Sequence, residues 1–156
     1  MIVIHSPATI EQALSMMGRI RQADLLEHDA AVGGAIEDSL RTGLSVSTQT
    51  WAGEVDGKVI CVCGVAPVPE MEGSGAVWLV STEELETAPI QFLFHSRRVL
   101  RKMLGLYGHL FNFADKRNTR ALRWLQWIGF TIYEPIPYGV EGLPFHLFEM
   151  RRATHV

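Results

Sequence analysis

Residues 118–130 have the sequence NTRALRWLQWIGF, which carries the signals of both the beginning and the end of a helix. It begins with Asn118, a residue type favoured at the N-cap of a helix. Apolar residues then recur at the spacing of one helix face, at Ala121, Leu122, Leu125 and Ile128. Gly129 follows, and a glycine there allows the left-handed conformation that ends many helices. The stretch predicts a short amphipathic helix with a sharp end, followed at once by a strand that Phe130 opens.

The segments around this helix have the patterns of strands and of one longer helix. HLFNFAD (109–115) precedes it as a strand, and FTIYEPIPYG (130–139) and PFHLFEMR (144–151) follow as two more. Pro89 suits the first turn of a helix over 89–107. On that helix an apolar stripe, Phe92, Val99, Met103 and Tyr107, lies opposite a basic one, Arg97, Arg98, Arg101 and Lys102.

The first half of the chain predicts three helices between strands. MIVIH (1–5) is a strand, and Thr9 with Gln12 forms a capping box for a helix that reaches about Met17. A second helix follows Gly18, and a third, AIEDSLRTG, ends at Gly43.

Three strands come next in the sequence. VSTQTWAGEV (46–55) and KVICVCGVAPV (58–68) are joined by Asp56-Gly57, a strong hairpin signal, and AVWLVST (76–82) is the third. The element order is then β-α-α-α-β-β-β-α-β-α-β-β. It predicts a mixed α/β (α+β) sheet with helices on both faces, in one domain that spans residues 1–156.

Composition places the chain among globular proteins. It has 156 residues, of which 47% are hydrophobic and 20% charged. The longest apolar run, VICVCGVA, is too short to span a bilayer, and the start MIVIHSPAT lacks the basic segment of a secretory signal. We expect a cytoplasmic protein without a membrane partner.

The two cysteines, Cys61 and Cys63, lie on the same face of a predicted strand. A zinc site would need two more ligands at finger-like spacing, and none flank them. The sequence therefore predicts buried thiols and no metal site.

Charge is distributed unevenly along the chain. Residues 1–86 carry 13 acidic and 4 basic side chains, whereas residues 97–126 carry 8 basic side chains and one acidic one, Asp115. The basic segment either binds an anion or forms solvated helix faces that balance the acidic half. Nucleic acid is an unlikely partner, because the whole chain is acidic, with a pI of about 6.1, and the tryptophans of this segment face the sheet.

The pattern Asn118-x-x-Ala121-x-x-Trp124-x₄-Gly129-Phe130 resembles the motif at the penultimate helix of the GNAT (Gcn5-related N-acetyltransferase) fold. More narrowly, residues 76–150 resemble small GNAT-like proteins of tailed phages and prophages, including the podophage gene-13-type internal virion proteins. The first 75 residues share only the element order. The resemblance implies a GNAT-like fold, acetyl-CoA as cofactor, an amine as acyl acceptor, and a place in the host cytoplasm or the virion.

The resemblance also implies where the cofactor would bind. GNAT enzymes carry a Q/R-x-x-G-x-G/A loop for the pyrophosphate, and here the corresponding segment STEELETAP offers Ser81 and Thr82 but no glycine. Its carboxylates, Glu83, Glu84 and Glu86, would repel an anion. Arg97 and Arg98 would flank the cofactor. Asn118 either contacts the pantetheine arm or is a plain N-cap.

Catalytic groups are less clearly indicated. The general base would be Glu54, Glu27 or His146, although His146 also fits a packed core position. Leu125 occupies the position of the tyrosine that protonates the leaving thiolate. Tyr138 or Tyr133 is a candidate replacement, with ordinary packing as the alternative for both.

Two functions follow from these features. The first is an acetyl-CoA-dependent N-acyltransferase whose phosphate loop and thiolate donor are degenerate. The second is a catalytically inactive GNAT scaffold that acts by protein contact, with Trp51 and Trp78 as interface anchors or, alternatively, as core residues. PFHLFEM is apolar on both faces, which allows a homodimer.

Overall fold

A computed structural model describes residues 1–153, and their strands form a single seven-stranded sheet. The strands are β1 (Ile2–His5), β2 (Gln49–Val55), β3 (Lys58–Pro67), β4 (Ser74–Ser81), β5 (His109–Asp115), β6 (Thr131–Tyr138) and β7 (Leu143–Arg151). Their order across the sheet is β1-β2-β3-β4-β5-β7-β6. Neighbouring strands are antiparallel except β4 and β5, which are parallel.

The helices are α1 (Ile10–Leu14), α2 (Gln22–Ala31), α3 (Ile36–Val46), α4 (Pro89–Leu106) and α5 (Thr119–Ile128). A 3₁₀ turn (Glu83–Thr87) joins β4 to α4. This order confirms the predicted mixed α/β class. None of the helices within residues 1–153 is long and apolar enough to cross a membrane.

The helices lie on both faces of the sheet, as predicted. Trp51 and Ala52 are neighbours on β2, so their side chains point to opposite faces. Trp51 belongs to the apolar cluster that α4 and α5 cover, and Ala52 belongs to the cluster that α1 and α3 cover. Apolar burial on both sides therefore holds the sheet between two helical layers.

The structure confirms three predicted signals, each of which involves only residues close together in the sequence: a capping box, a hairpin turn and a helix end. Thr9 and Gln12 form the capping box of α1, which ends earlier than predicted. Asp56 and Gly57 have φ of 51° and 75°, the values of a tight hairpin turn. Gly129 has φ of 112° and ends α5, after which Phe130 packs edge-to-face against Phe148 at 5.0 Å.

Gly43 does not end α3, so that prediction is wrong. The helix continues to Val46, and Gly43 lies inside it under the ring of Trp78. A Cβ at this position would lie 3.2 Å from the Trp78 ring. The glycine therefore serves close packing between the helix and β4, not a turn.

The two tryptophans proposed as interface anchors are core residues. Trp51 is 2% exposed. Trp78 is half-buried in the cluster under α1 and α3, and its Nε1 donates to Ser47 Oγ at 2.8 Å. The interface interpretation is wrong for both. Cys61 and Cys63 are free thiols, the first buried and the second partly buried, as the buried-thiol prediction requires.

The parallel pair β4–β5 positions the site because it is paired along only part of its length. Ser74, Gly75 and Ala76 pair with β5, and beyond them the two strands diverge toward their carboxyl ends. We call this divergence the splay. At the other side of β5, β7 lies inside the sheet, and β6, which carries Pro135 and Pro137, forms the edge.

Candidate functional site

A cleft of about 550 Å³ lies between α4, α5 and the diverging strands. Its walls are mostly apolar and include Phe92 and Val99 from α4, Trp124 and Leu125 from α5, and Leu79 from β4. The rings of Phe92 and Trp124 stack across it with centroids 5.1 Å apart. The cleft therefore joins a groove between two helices to the splay in the sheet.

Side chains take up the main-chain groups that the splay leaves unpaired. Near its narrow end, Asn112 Nδ2 donates to the Val77 carbonyl at 2.6 Å. At its wide end, Asp24 Oδ2 accepts from the Ser81 amide at 3.0 Å, and Glu27 Oε1 accepts from the Asp115 amide at 2.7 Å. Because Asp24 and Glu27 are both on α2, this helix bridges the separated ends of β4 and β5.

The peptide groups of Leu79 lie between these two anchors. Main-chain groups alternate in direction along a strand, so those of Leu79 face the splay, as do those of Val77 and Ser81. Neither Asn112 nor Asp24 contacts them. The cleft therefore contains one main-chain donor and one acceptor halfway along the splay.

Two carboxyl groups at the wide end have raised pKa values. Burial raises the pKa of Asp24, against the opposing effect of Arg21. Burial also raises the pKa of Glu27 to about 7. The hydrogen bond from the Asp115 amide lowers this pKa, and the negative charges of Asp24 and Asp115 raise it. Glu27 therefore gains and loses a proton near neutral pH, the property required of a general base.

Asp115 differs from these two carboxyl groups. Burial alone would raise the pKa of Asp115, but hydrogen bonds from Arg117 outweigh burial and lower it. The shortest of them joins Arg117 Nη2 to Asp115 Oδ2 at 2.7 Å. Asp115 thus stays ionised beside Glu27, and its charge adds to the larger effect of burial in raising the Glu27 pKa.

Asn118 points into the cleft. It is 2% exposed and occupies the N-cap position of α5, but its side chain makes no capping bond, so the plain N-cap interpretation is wrong. Its Nδ2 donates to Asp24 Oδ1 at 3.4 Å. Its Oδ1, like Nε1 of Trp124, is buried without a hydrogen-bond partner among residues 1–153. A buried polar atom without a partner costs about 1–3 kcal/mol, which a bound ligand would recover.

The loop glutamates at the mouth of the cleft are paired with cations. Glu86 contacts Arg120 of α5, and its other oxygen lies 3.6 Å from Arg21 Nε. Glu84 lies 3.3 Å from Arg19 and 3.9 Å from Lys58. The sequence predicted that the three carboxylates of this loop would repel an anion, and the structure shows that two of the three, Glu84 and Glu86, are paired with cations.

The structure brings some predicted cofactor residues together and separates others. Ser81 and Asn118 line the cleft, and Thr82 is fully buried directly after Ser81. Arg97 lies on the outer side of the groove, where its Nη2 donates to the Trp127 carbonyl at 3.3 Å. Arg98 lies over the ring of Phe94.

Three of the predicted catalytic residues, Glu54, His146 and Tyr138, lie outside the lining of the cleft. Glu54 is hydrogen-bonded to His5 at the β1–β2 edge of the sheet. His146 is hydrogen-bonded through Nδ1 to the Tyr133 carbonyl. Tyr138 stacks on Phe113 with centroids 4.1 Å apart. Of the bases considered, Glu27 alone lines the cleft.

Sequence reasoning did not assign Arg21 or Asp24 to the site, and it placed Arg120 and Trp124 only in a basic segment and a motif, although all four line the cleft. The spacing Arg21-x-x-Asp24-x-x-Glu27 places three charged side chains on one side of a helix. That spacing was the available signal for the first two. Residues 1–153 contain no group of three or more His, Cys, Asp or Glu residues arranged to hold a metal ion.

Comparison with solved structures places this architecture among known proteins. The chain superposes on a GNAT-family acetyltransferase from Streptococcus pneumoniae with a TM-score of 0.63 and 15% identity, covering 98% of this chain and 100% of that one. It superposes on a ribosomal-protein-alanine N-acetyltransferase from Brucella melitensis with a TM-score of 0.68 and 15% identity, over 96% and 99% of the two chains. This is the GNAT fold.

The GNAT fold also appears in an aminoglycoside N(6′)-acetyltransferase from Legionella pneumophila, with a TM-score of 0.70, 9% identity and coverage of 96% of this chain and 91% of that one. No protein-family model matches the sequence, and no curated protein matches it. At these identities the similarity establishes the GNAT fold alone.

Proposed function

We propose that the chain is an acetyl-CoA-dependent N-acyltransferase of the kind encoded by phages and prophages. The observation that carries this proposal is the cleft itself, which ends at the open peptide of Leu79 and at a glutamate with a pKa of about 7. The N-acetyltransferases that share the fold support it. The acceptor would be an amine.

The residues of the cleft fit the pantetheine end of acetyl-CoA. That arm is an apolar chain interrupted by amides, and the cleft offers apolar walls with a few unpaired polar groups. Leu79 would hold it through its main chain, and Asn118 through its unpaired Oδ1. When bound, the cofactor supplies an activated acyl thioester.

Glu27 is the group that accepts the proton of the acceptor amine in this proposal. It reaches the splay from α2, on the sheet face opposite α4 and α5, so the amine would approach from the α2 side. Asp24 and Asp115 beside it make this region acidic and favour a cationic amine. Leu125 is 6% exposed and has no proton to donate to the departing thiolate of CoA, so we expect slow turnover.

Calorimetry with acetyl-CoA, at low and at physiological salt, tests the proposal, and release of free thiol in the presence of amines then tests turnover. Asn118→Ala should weaken binding roughly tenfold, because it removes one buried hydrogen-bonding group. Gln126→Ala, on the exposed side of the same helix, is the control and should bind like the wild type. Absence of saturable binding at millimolar acetyl-CoA would rule out the enzyme.

A second candidate function is a catalytically inactive scaffold that works by protein contact. Exposed apolar side chains next to the groove favour it: Ile90 is 82%, Phe94 61% and Trp127 62% exposed. If the chain is a virion component, it should co-purify with phage particles at a fixed copy number. Phe94→Ser should then reduce its incorporation, whereas Val32→Ser, an exposed apolar residue outside the groove, should not.

A further inference from the structure

The carboxylate of Glu86 lies between two arginines from different elements at the mouth of the cleft. Its Oε2 contacts Nη1 of Arg120, in the first turn of α5. Its Oε1 lies 3.6 Å from Nε of Arg21, which immediately precedes α2. All three residues line the cleft. We call Arg21, Glu86 and Arg120 the latch.

The two arginines would form an anion site if Glu86 were absent. Guanidinium groups bind carboxylates and phosphates through the same pairs of N–H donors, so a phosphate oxygen can replace a carboxylate oxygen. Arg21 is held in position because its side chain is only 11% exposed and also pairs with Asp24 at 3.0 Å. Arg120 is less enclosed, with a side chain that is 63% exposed.

The loop that carries Glu86 is anchored independently of the two arginines. Leu85 is buried, and the neighbouring Glu84 pairs with Arg19. Thr87 Oγ1 donates to the Glu84 carbonyl at 2.7 Å. These contacts keep Glu86 near the arginines, so its local concentration there is high.

We propose that Glu86 acts as a built-in competitor for phosphate, so that a phosphate or pyrophosphate group enters the cleft only by displacing Glu86 from Arg21 and Arg120. Both ion pairs are partly exposed to solvent, and ion pairs of this kind are weak, so a phosphate dianion can displace the Glu86 carboxylate from the arginines. The identity of the ligand as CoA rests on the proposed function. The competition itself does not.

The test is calorimetric titration of inorganic pyrophosphate and, separately, of CoA into the wild type and Glu86→Gln. We expect Glu86→Gln to bind each anion roughly tenfold more tightly, since one competing charge is gone. Glu83→Gln is the matched control. It makes the same charge change on the same turn, where Glu83 accepts only from the Gln22 amide in the described structure, and should alter affinity by less than about threefold.

Arg120→Ala provides a second, independent measurement. It also breaks the latch, but it removes one of the two proposed phosphate ligands. In the Arg120→Ala background, Glu86→Gln should therefore lose most of its gain, and the coupling between the two changes reports the shared site. Thermal unfolding of each variant confirms that it is folded.

The outcomes separate the latch from the enzyme proposal. If Glu86→Gln binds pyrophosphate more tightly than the wild type and no variant binds CoA, the latch is supported and the acyltransferase proposal is rejected. Equal CoA binding by the wild type and Glu86→Gln supports the enzyme and overturns the latch. Pyrophosphate binding that is equal in both, or undetectable in both at about 10 mM, also overturns the latch.

Discussion

Replacing Glu27 by glutamine should change how the stability of the protein depends on pH. Burial raises the pKa of Glu27 from 4.5 to about 7. Because the folded state then holds a proton that the unfolded state releases, stability falls as pH rises from about 4.5 to about 7 and is level above that. A shift of this size corresponds to at most about 3 kcal/mol.

Glutamine cannot ionise, but it keeps an oxygen that can accept from the Asp115 amide, as Glu27 does at 2.7 Å. Glu27→Gln should therefore resemble the wild type at pH 5 and exceed its free energy of unfolding at pH 8, by up to about 3 kcal/mol. Asp24, Asp115 and Arg117 face the same region and remain in both proteins, so their titration largely cancels in the difference.

Urea unfolding at a series of pH values from 5 to 9 measures this difference. Glu134→Gln, the same substitution at an exposed position on β6, should show no trend with pH. A difference between the wild type and Glu27→Gln that stays constant across the series would refute the assigned pKa. If acyl transfer occurs, the wild-type rate should also rise as pH passes through about 7, and Glu27→Gln should lack that rise.

Two further substitutions and one chemical modification test the fold. Gly129→Ala should cost about 1–2 kcal/mol in urea unfolding, since φ is 112° and the new Cβ would lie 3.3 Å from Met150 Cε. Gly105→Ala, in α4 with open space around it, should instead be neutral or add up to about 1 kcal/mol. Burial raises the pKa of Cys61 to about 12 and that of Cys63 further, so iodoacetamide at pH 8 should modify neither thiol until urea unfolds the chain. Modification of the folded protein would contradict the raised pKa values of these thiols.

The parts of the fold that the sequence predicted depend on residues close together in the chain. The Thr9–Gln12 capping box, the Asp56-Gly57 turn and the left-handed Gly129 each need only a few neighbouring residues. Gly43 was misassigned because its role depends on Trp78, which belongs to a strand much later in the sequence. The presence of a glycine in the sequence does not by itself show whether it ends a helix or allows another side chain to pack closely against the helix.

The site was less predictable for the same reason. Ser81 and Asn118 were identified through a resemblance, and both line the cleft. The pairing of Glu86 with Arg21 and Arg120 joins three segments that are far apart in the sequence. The sequence alone therefore indicated that the run of glutamates would repel an anion, whereas in the structure its charge is partly neutralised. The environment that raises the Glu27 pKa likewise forms only when α2 crosses the splay.

The splay links the stability of the fold to its proposed chemistry. When β4 and β5 separate, each main-chain group left buried without a partner costs about 1–3 kcal/mol. Asn112 covers the narrow end, and Asp24 and Glu27 cover the wide end. Covering the wide end buries two carboxyl groups together, and that burial raises the pKa of Glu27 to neutrality. The Glu27 contact that lets the strands part thus also gives this carboxyl group the pKa that the proposed base requires, and the Leu79 peptide remains available to the proposed ligand.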